Sequence, residues 1–481
     1  VKPPHHDDLA ALDRAHVWHP FTAQRDWAEA DPLILDRGEG VYLYDTKGNR
    51  YLDGVSSLWC NVHGHRHPAL DAAIRRQLDA VAHTTLLGAS HPEAILLARE
   101  LVELAPPGLT RVFYSDDGAT AVEVAVKLAF QYWRQKADPE PNRRLFLAFG
   151  GAYHGDTIGD VSLGNVDRFH RLFEPLLFPT LRAPSPYCYR CPLGLSRPEC
   201  GMACVEEVDR ILAAHPGEVA GVVVEPLVQG AAGMVVAPEG YLRRLREITR
   251  AHGTLLIADE VAVGFGRTGR MFACEHEGVT PDFLCLAKGL TGGYLPLAAT
   301  LTTEEVHRAF FATAAEDRTF QHGHTYGGNP LGAAVARATL RVFEDERTLE
   351  GLGPKIALLR ERLGRIAGLE HVGDVRQSGL IAGIELVADR ASRRPFPREA
   401  LVGARVCRAA RAHGLLIRPL GDVIVIFPPL AITEAELAGM LDVIERCIAE
   451  VTTGAAPPAE AGALAEERAW EADAPPEMER P

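Results

Sequence analysis

No apolar run in this chain is long enough to cross a bilayer, and its amino end, VKPPHHDDLA, lacks the basic-then-apolar pattern of a secretion signal. A basic surplus is missing as well. Fifty Lys and Arg face 64 Asp and Glu, and the net charge of −14 argues against nucleic acid or an anionic membrane as partner. Cysteine is scarce: nine in 481 residues are too few for a disulfide scaffold. A reduced compartment and a cytoplasmic location are therefore expected. What remains is ordinary globular composition, 47% apolar and 24% charged, in a chain long enough for two or three domains.

Four of the cysteines are nonetheless grouped, as Cys188-x2-Cys191 and Cys200-x3-Cys204. Such spacing suits a zinc ion or an iron–sulfur cluster. No ligand set elsewhere supports a metal, and PSPYCYRCPLGL reads as a surface loop, so no metal is expected.

The stretch that organises the rest is Leu255 to Thr300. Leu255-Leu256-Ile257-Ala258 is an apolar run ending in Asp259-Glu260, and Phe283-Leu284-Cys285-Leu286-Ala287 is another ending in Lys288-Gly289. Short apolar runs bounded by turn residues suit strands buried on both faces. Each then presents a charged side chain at its carboxyl end, where open α/β sheets place ligands. A lysine there can hold an aldehyde as a Schiff base, and a carboxylate can keep a pyridine nitrogen protonated. Asp259 and Lys288 are the candidates for those roles, for which pyridoxal phosphate is the matching cofactor. Solvated strand-end charges are the plainer alternative.

Gly264-Phe265-Gly266-Arg267-Thr268-Gly269 spells a dinucleotide fingerprint after a strand. Such a fingerprint should open a helix and place an acid about 20 residues on. Here Gly278 and Pro281 interrupt any helix, and Glu275, Glu277 and Asp282 come too early. A nicotinamide site is rejected.

Other pieces fit around this core. DGVSSLWCNVHGHRHP, residues 53–68, is a glycine-punctuated loop rich in polar and aromatic side chains. Arg111–Ser115 reads as a strand that turns at Asp116-Asp117-Gly118-Ala119 into a helix beginning near Thr120. The amino end of that helix is a natural phosphate seat. Leu145–Phe149 ends in GGAYHGDT, where Tyr153 or His154 suits stacking on a planar ring, or a place in the core. Strands alternating with helices imply a mostly parallel, doubly wound sheet. Beyond the polar loop Gln321–Pro330 the pattern becomes a smaller α+β unit, with LLIRPL and VIVIFPP as a hairpin-like pair turning at Gly421-Asp422. Arg418 ends the first of that pair and suits a substrate carboxylate, or a structural ion pair. The expected division is 1–68, serving the small domain and the substrate pocket; 69–330, the large cofactor domain; 331–453, the small α+β domain; and 454–481. That last stretch carries seven acids against Arg468 and Arg480 and reads as a disordered tail.

Together these pieces resemble the class III, fold-type I pyridoxal phosphate aminotransferases over roughly residues 14–452. The carriers are FYSDDGATAVEVAVKLAFQYW, VVEPLVQGAAGM, LIADEVAVGFGRTGRMFACEH, LCLAKGLTGGYLPL, HGHTYGGNPLG and IRPLGD. WHPFT, SSLW, FQYW and YHGDT narrow the likeness to the branch that serves biotin synthesis. The resemblance implies pyridoxal 5'-phosphate as cofactor and two small-molecule substrates. The acceptor it implies is 8-amino-7-oxononanoate, and the donor S-adenosylmethionine or, alternatively, L-lysine. A related ω-amino acid or diamine transaminase stays open as well. It also implies that Lys288 holds the cofactor and shuttles a proton, Asp259 pairs with the pyridine nitrogen, and Gly118 and Ala119 bind the phosphate. Tyr153 would cover the ring. His324 and Thr325 would reach the phosphate of a neighbouring subunit, making the active unit a homodimer. Phe21, Leu58, Trp59, Tyr153, Gly323 and Arg418 would meet substrate. The chain departs from the common pattern at Ala119, often Ser, at Leu58, often Trp, and at Phe21, often Tyr.

Overall fold

The computed structural model describes residues 5–454, without the side chains of Asp167 and Arg168. The acidic stretch 454–481 lies, Gly454 apart, outside the described residues. The chain divides into two compact units. One comprises Cys60–Val62 and Pro68–Glu350; the other comprises residues 5–59, His63–His67 and residues 351–454.

The larger unit is built on seven strands: β1 Leu109–Ser115, β2 Leu145–Phe149, β3 Leu181–Ala183, β4 Val219–Val224, β5 Leu255–Asp259, β6 Phe283–Leu286 and β7 Ala298–Thr303. Their order is β1-β7-β6-β5-β4-β2-β3, and only β7 runs antiparallel to its neighbours. All of β4, β5 and β6 is buried, as runs without polar alternation require. The helix Gly118–Gln135 lies against this sheet, burying Ala121, Val122, Val124, Ala125 and Ala129. Each fully buried valine contributes about 1.5–3 kcal/mol. Thr300 Oγ1, on β7, ties the sheet to the helix by donating to Ala121 O at 2.7 Å.

The helix Pro330–Asp345 belongs to this larger unit, whereas the sequence reading started the small domain at 331. Val335, Ala338 and Val342 pack on Leu70 and Ala73 of the helix Pro68–Ala80. Arg337 bridges Glu93 and Glu100, on the helix Pro92–Leu104, at 2.8 and 2.9 Å. A helix buried round most of its circumference follows its packing partners rather than its place in the chain.

The smaller unit holds two four-stranded sheets. One is ordered Leu35–Glu39, Tyr42–Asp45, Arg50–Asp53, Leu415–Leu416; the other Val372–Ser378, Ile381–Leu386, Val423–Ile426, Pro419–Leu420. LLIRPL is therefore not one strand of a hairpin. Leu415–Leu416 pairs in parallel with the Arg50–Asp53 strand, and only Pro419–Leu420 pairs with Val423–Ile426. Arg418 lies in the two-residue step between the sheets.

Candidate active site

Parallel strands bring the acid and the lysine to one edge. Asp259 is the last residue of β5 and pairs in register with Cys285 on β6. The Glu260 N–H bonds Cys285 O at 3.0 Å, keeping the two strand ends level. Lys288, two residues past β6, opens the single 3-10 turn Lys288–Thr291. Its φ of 45° is left-handed, a conformation that costs a residue with a β-carbon about 1–3 kcal/mol. Strain of that kind persists only where the surroundings hold it. Lys288 opens onto a cavity of about 670 Å³, lined also by Gly118, Ala119, Tyr153, His154 and Val261. Burial lowers the lysine pKa, partly offset by Asp259.

Asp259 is 5% exposed and held from two directions. Oδ1 accepts the Val261 N–H at 3.0 Å, and Oδ2 lies 2.7 Å from His154 Nδ1. A carboxylate only accepts, so that imidazole nitrogen carries the proton. His154 Nε2 has no partner among the described residues. Two further acids surround this pair. Burial pushes Glu225 up to about 7, although the N–H groups of Gly230 and Tyr153 bond it at 2.8 and 3.2 Å. Burial, then Glu123 and Asp259, raises Asp160, whose two oxygens lack partners among the described residues. Both shifts favour the neutral acids, which limits like charge beside Asp259.

The opposite wall is the amino end of the helix Gly118–Gln135. Asp117 caps it by accepting Thr120 N–H at 2.9 Å, and Thr120 Oγ1 accepts from Asp117 N–H at 3.0 Å. Intrahelical bonding cannot use the N–H groups of Gly118 and Ala119, which are left to face an anion. A β-carbon at Gly118 would fall 2.5 Å from Val261 Cγ1. At Gly155, with φ of 142°, it would fall 2.4 Å from the Ala119 Cβ. Both glycines are thus required by close approach. Tyr153 is fixed at both ends, its N–H on Glu225 and its hydroxyl donating to Asp156 Oδ2 at 2.8 Å. Burial, then Asp156, pushes its phenol pKa up.

Lys288, Gly118, Ala119 and Tyr153 thus line one cavity, and Asp259 bonds His154 of the same lining. His324 approaches the same wall, with Nδ1 2.8 Å from Oδ2 of Asp116, a lining residue. Gly323 and Thr325 are exposed. Phe21, Leu58, Trp59 and Arg418 belong to the smaller unit. There the backbone is left-handed at Phe21 and through four successive residues, Ser56 to Trp59. Ser57 N–H and Oγ both bond the buried Asp53 carboxylate at 2.8 Å, and Ser56 Oγ donates to Phe427 O at 2.6 Å. Trp59, 6% exposed, stacks on Phe427 at 5.4 Å, leaving Leu58 38% exposed.

Sequence reasoning left His154 as an alternative to Tyr153 and gave Glu225 and Asp160 no role. Glu225 did carry a signal, since it follows a buried strand as Asp259 ends one. The GFGRTG segment forms turns, not a helix, and wraps Arg267, whose Nη2 bonds Asn61 O at 2.5 Å. That geometry agrees with rejecting a dinucleotide site.

The family model described as aminotransferase class-III matches residues 24–448. The chain belongs to the class-III aminotransferases. A curated relative from Geobacter sulfurreducens, named adenosylmethionine-8-amino-7-oxononanoate aminotransferase, is 56% identical over 447 residues, covering 93% of this chain and 98% of that protein. Another of the same name from Nitratidesulfovibrio vulgaris is 59% identical, covering 92% and 82%. Among solved structures, the Methanocaldococcus jannaschii enzyme of that name superposes with TM-score 0.88 at 43% identity, covering 92% and 99%. An (S)-enantioselective omega-transaminase from Thermomicrobium roseum gives 0.88 at 36%, covering 94% and 100%. The mostly parallel sheet of this aminotransferase is thus shared with known transaminases. No helix among its described residues is long and apolar enough to cross a membrane.

Proposed function

We propose that this aminotransferase passes the amino group of S-adenosylmethionine to 8-amino-7-oxononanoate, giving 7,8-diaminononanoate for biotin synthesis, with pyridoxal 5'-phosphate as cofactor. The observation that carries this reading is the 56% and 59% identity to relatives named for that pair of substrates. The cavity suits the cofactor in three respects. Its lining offers two helix-end N–H groups for a phosphate and a lysine amine for an aldehyde, and its His154 bonds the buried Asp259 carboxylate, which suits a pyridine nitrogen. When bound, the cofactor supplies an aldehyde that receives the amino group and a ring that accepts electrons.

The residues of the chain do the rest. Gly118 and Ala119 hold the phosphate by their N–H groups, and Asp259, oriented by His154 and Val261, keeps the pyridine nitrogen protonated. Lys288, with its pKa lowered by burial, would be the base that carries a proton between the donor's Cα and the bound cofactor. The same amine runs these transfers in reverse for the acceptor, so the donor product leaves before the acceptor enters. Tyr153, Gly323 and Arg418 are the proposed substrate contacts, Arg418 for the acceptor carboxylate. A homodimer, with His324 and Thr325 at the neighbouring subunit's phosphate seat, is part of the proposal.

Leu58 and Phe21, where the family often has Trp and Tyr, favour one second reading, L-lysine as donor. Mixing the cofactor-loaded enzyme separately with each donor, in one half-reaction followed by absorbance, decides between them. Conversion by S-adenosylmethionine alone is expected. Conversion by lysine alone transfers the assignment to that donor, and conversion by neither removes both.

A further inference from the structure

Between β3 and the helix Ala203–Ala214 the chain runs nineteen residues without regular structure. Cys188 and Cys191 flank the turn at Tyr189-Arg190; Cys200 lies in the turn before the helix, and Cys204 is its second residue. All four line one small cavity of about 20 Å³, and Cys204 is within electrostatic range of the other three. No disulfide joins them. They line no part of the Lys288 cavity, and transamination has no use for them.

We propose that Cys188, Cys191, Cys200 and Cys204 bind a structural zinc ion as a tetrathiolate. Two ligands from one short turn and two from the turn and first residues of the next helix, spaced C-x2-C and C-x3-C, suit a tetrahedral site around zinc. The ligand chemistry selects as well: four soft sulfurs favour zinc over calcium or magnesium. The small cavity between the four cysteines has room for a single ion. Arg197 lines the same cavity and interacts with Cys188, placing positive charge beside thiolates that zinc leaves with net negative charge. Cys188 is exposed and the other three half-buried, which gives an ion its way in. Binding exchanges the four thiol protons for zinc, with no oxidation or reduction.

Among the described residues, the set of three ligand atoms already within 4.8 Å of one another lies elsewhere, at His413, Cys447 and Glu450. The four cysteines therefore ring their cavity more loosely, and zinc draws the two turns together. The consequence reaches the active-site wall. Ser185, which also lines this cavity, donates from Oγ to Gln229 Oε1 at 2.6 Å. Gln229 in turn donates to Gly150 O at 3.1 Å, three residues before Tyr153. Zinc supplies this loop with the fixed point that a hydrophobic core does not.

The test is metal analysis of the cofactor-loaded enzyme after dialysis, with X-ray absorption at the zinc edge. One zinc per chain, in an all-sulfur shell at about 2.3 Å, is expected. Cys188→Ser with Cys204→Ser should lose zinc affinity by at least about 100-fold, and Cys447→Ser should keep it. Stripping zinc from the wild type with a mercurial and a chelator should lower Tm, and restoring zinc should recover it. Three outcomes overturn the proposal: four freely titrating thiols without metal, disulfides or iron at these cysteines, or zinc lost only in Cys447→Ser. The wild-type metal content and sulfur shell decide the matter even where the double variant fails to fold.

Discussion

The carboxyl edge of the large sheet and the segment Ser56–Trp59 hold their proposed functional side chains by opposite means. At the sheet edge, regular parallel pairing does most of the positioning. Asp259 and Lys288 end up beside each other because β5 and β6 are neighbours in register, and one left-handed residue, Lys288, is enough. In the smaller unit, four left-handed residues in a row turn Trp59 onto Phe427 and Leu58 outward, pinned by Asp53 and Ser56. The first arrangement tolerates little chemical change and carries little strain. The second carries strain and has room to vary. Changes at the sheet edge should therefore cost activity without stability, and changes at Leu58 should alter both only slightly.

The largest effect is expected at Lys288. Lys288→Ala should lower transamination by at least about four orders of magnitude, with Tm nearly unchanged. The measurement is turnover beside thermal unfolding, and residual activity within tenfold of wild type would contradict the role. Next come Asp259 and His154. Asp259→Asn should cost about 10²–10⁴-fold and His154→Gln less, because the histidine acts only through the carboxylate. The double variant should cost far less than the product of the two, and full additivity would separate them.

A pH profile gives the third prediction. Burial places the Lys288 pKa below the ordinary 10.5, so its neutral amine survives to lower pH. The rate at which the cofactor-free protein captures pyridoxal phosphate should fall as pH drops through that lowered value. Asp259 raises this pKa, so Asp259→Asn should move the midpoint to lower pH still. Stopped-flow capture rates across pH check both, and a midpoint at or above 10.5 counts against the burial argument. The smallest effect belongs to Leu58. Leu58→Gly relieves a left-handed residue and should alter stability by no more than about 1 kcal/mol, in the stabilising direction. Its kinetic effect should fall on donor KM and leave the acceptor half-reaction within a few-fold of wild type.

Much of the large unit could be read from the chain because its signals are local. Leu145–Phe149 occupies the range that its apolar run suggested, and Asp117 caps the helix that follows β1. That the helix Pro330–Asp345 belongs to the large unit is not legible, since Leu70, Ala73, Glu93 and Glu100 claim it from far upstream. LLIRPL looked like one strand because periodicity reports a strand's faces and not its partner. Nothing local says that pairing changes sheets at Arg418.

The sequence by itself determined where the acid and the lysine stand. Buried strands must be apolar, so a charge at their end is conspicuous, and a parallel sheet sends such ends to one edge. It also determined the proposed phosphate seat, because a capped helix end after a strand is written in consecutive residues. Only the tertiary structure decided what surrounds them. His154 reaches Asp259 across 105 positions, Ser56 reaches Phe427 across 371, and four cysteines meet at one small cavity. Those contacts depend on which elements pack together, and packing is a property of the assembled core that no window of sequence contains.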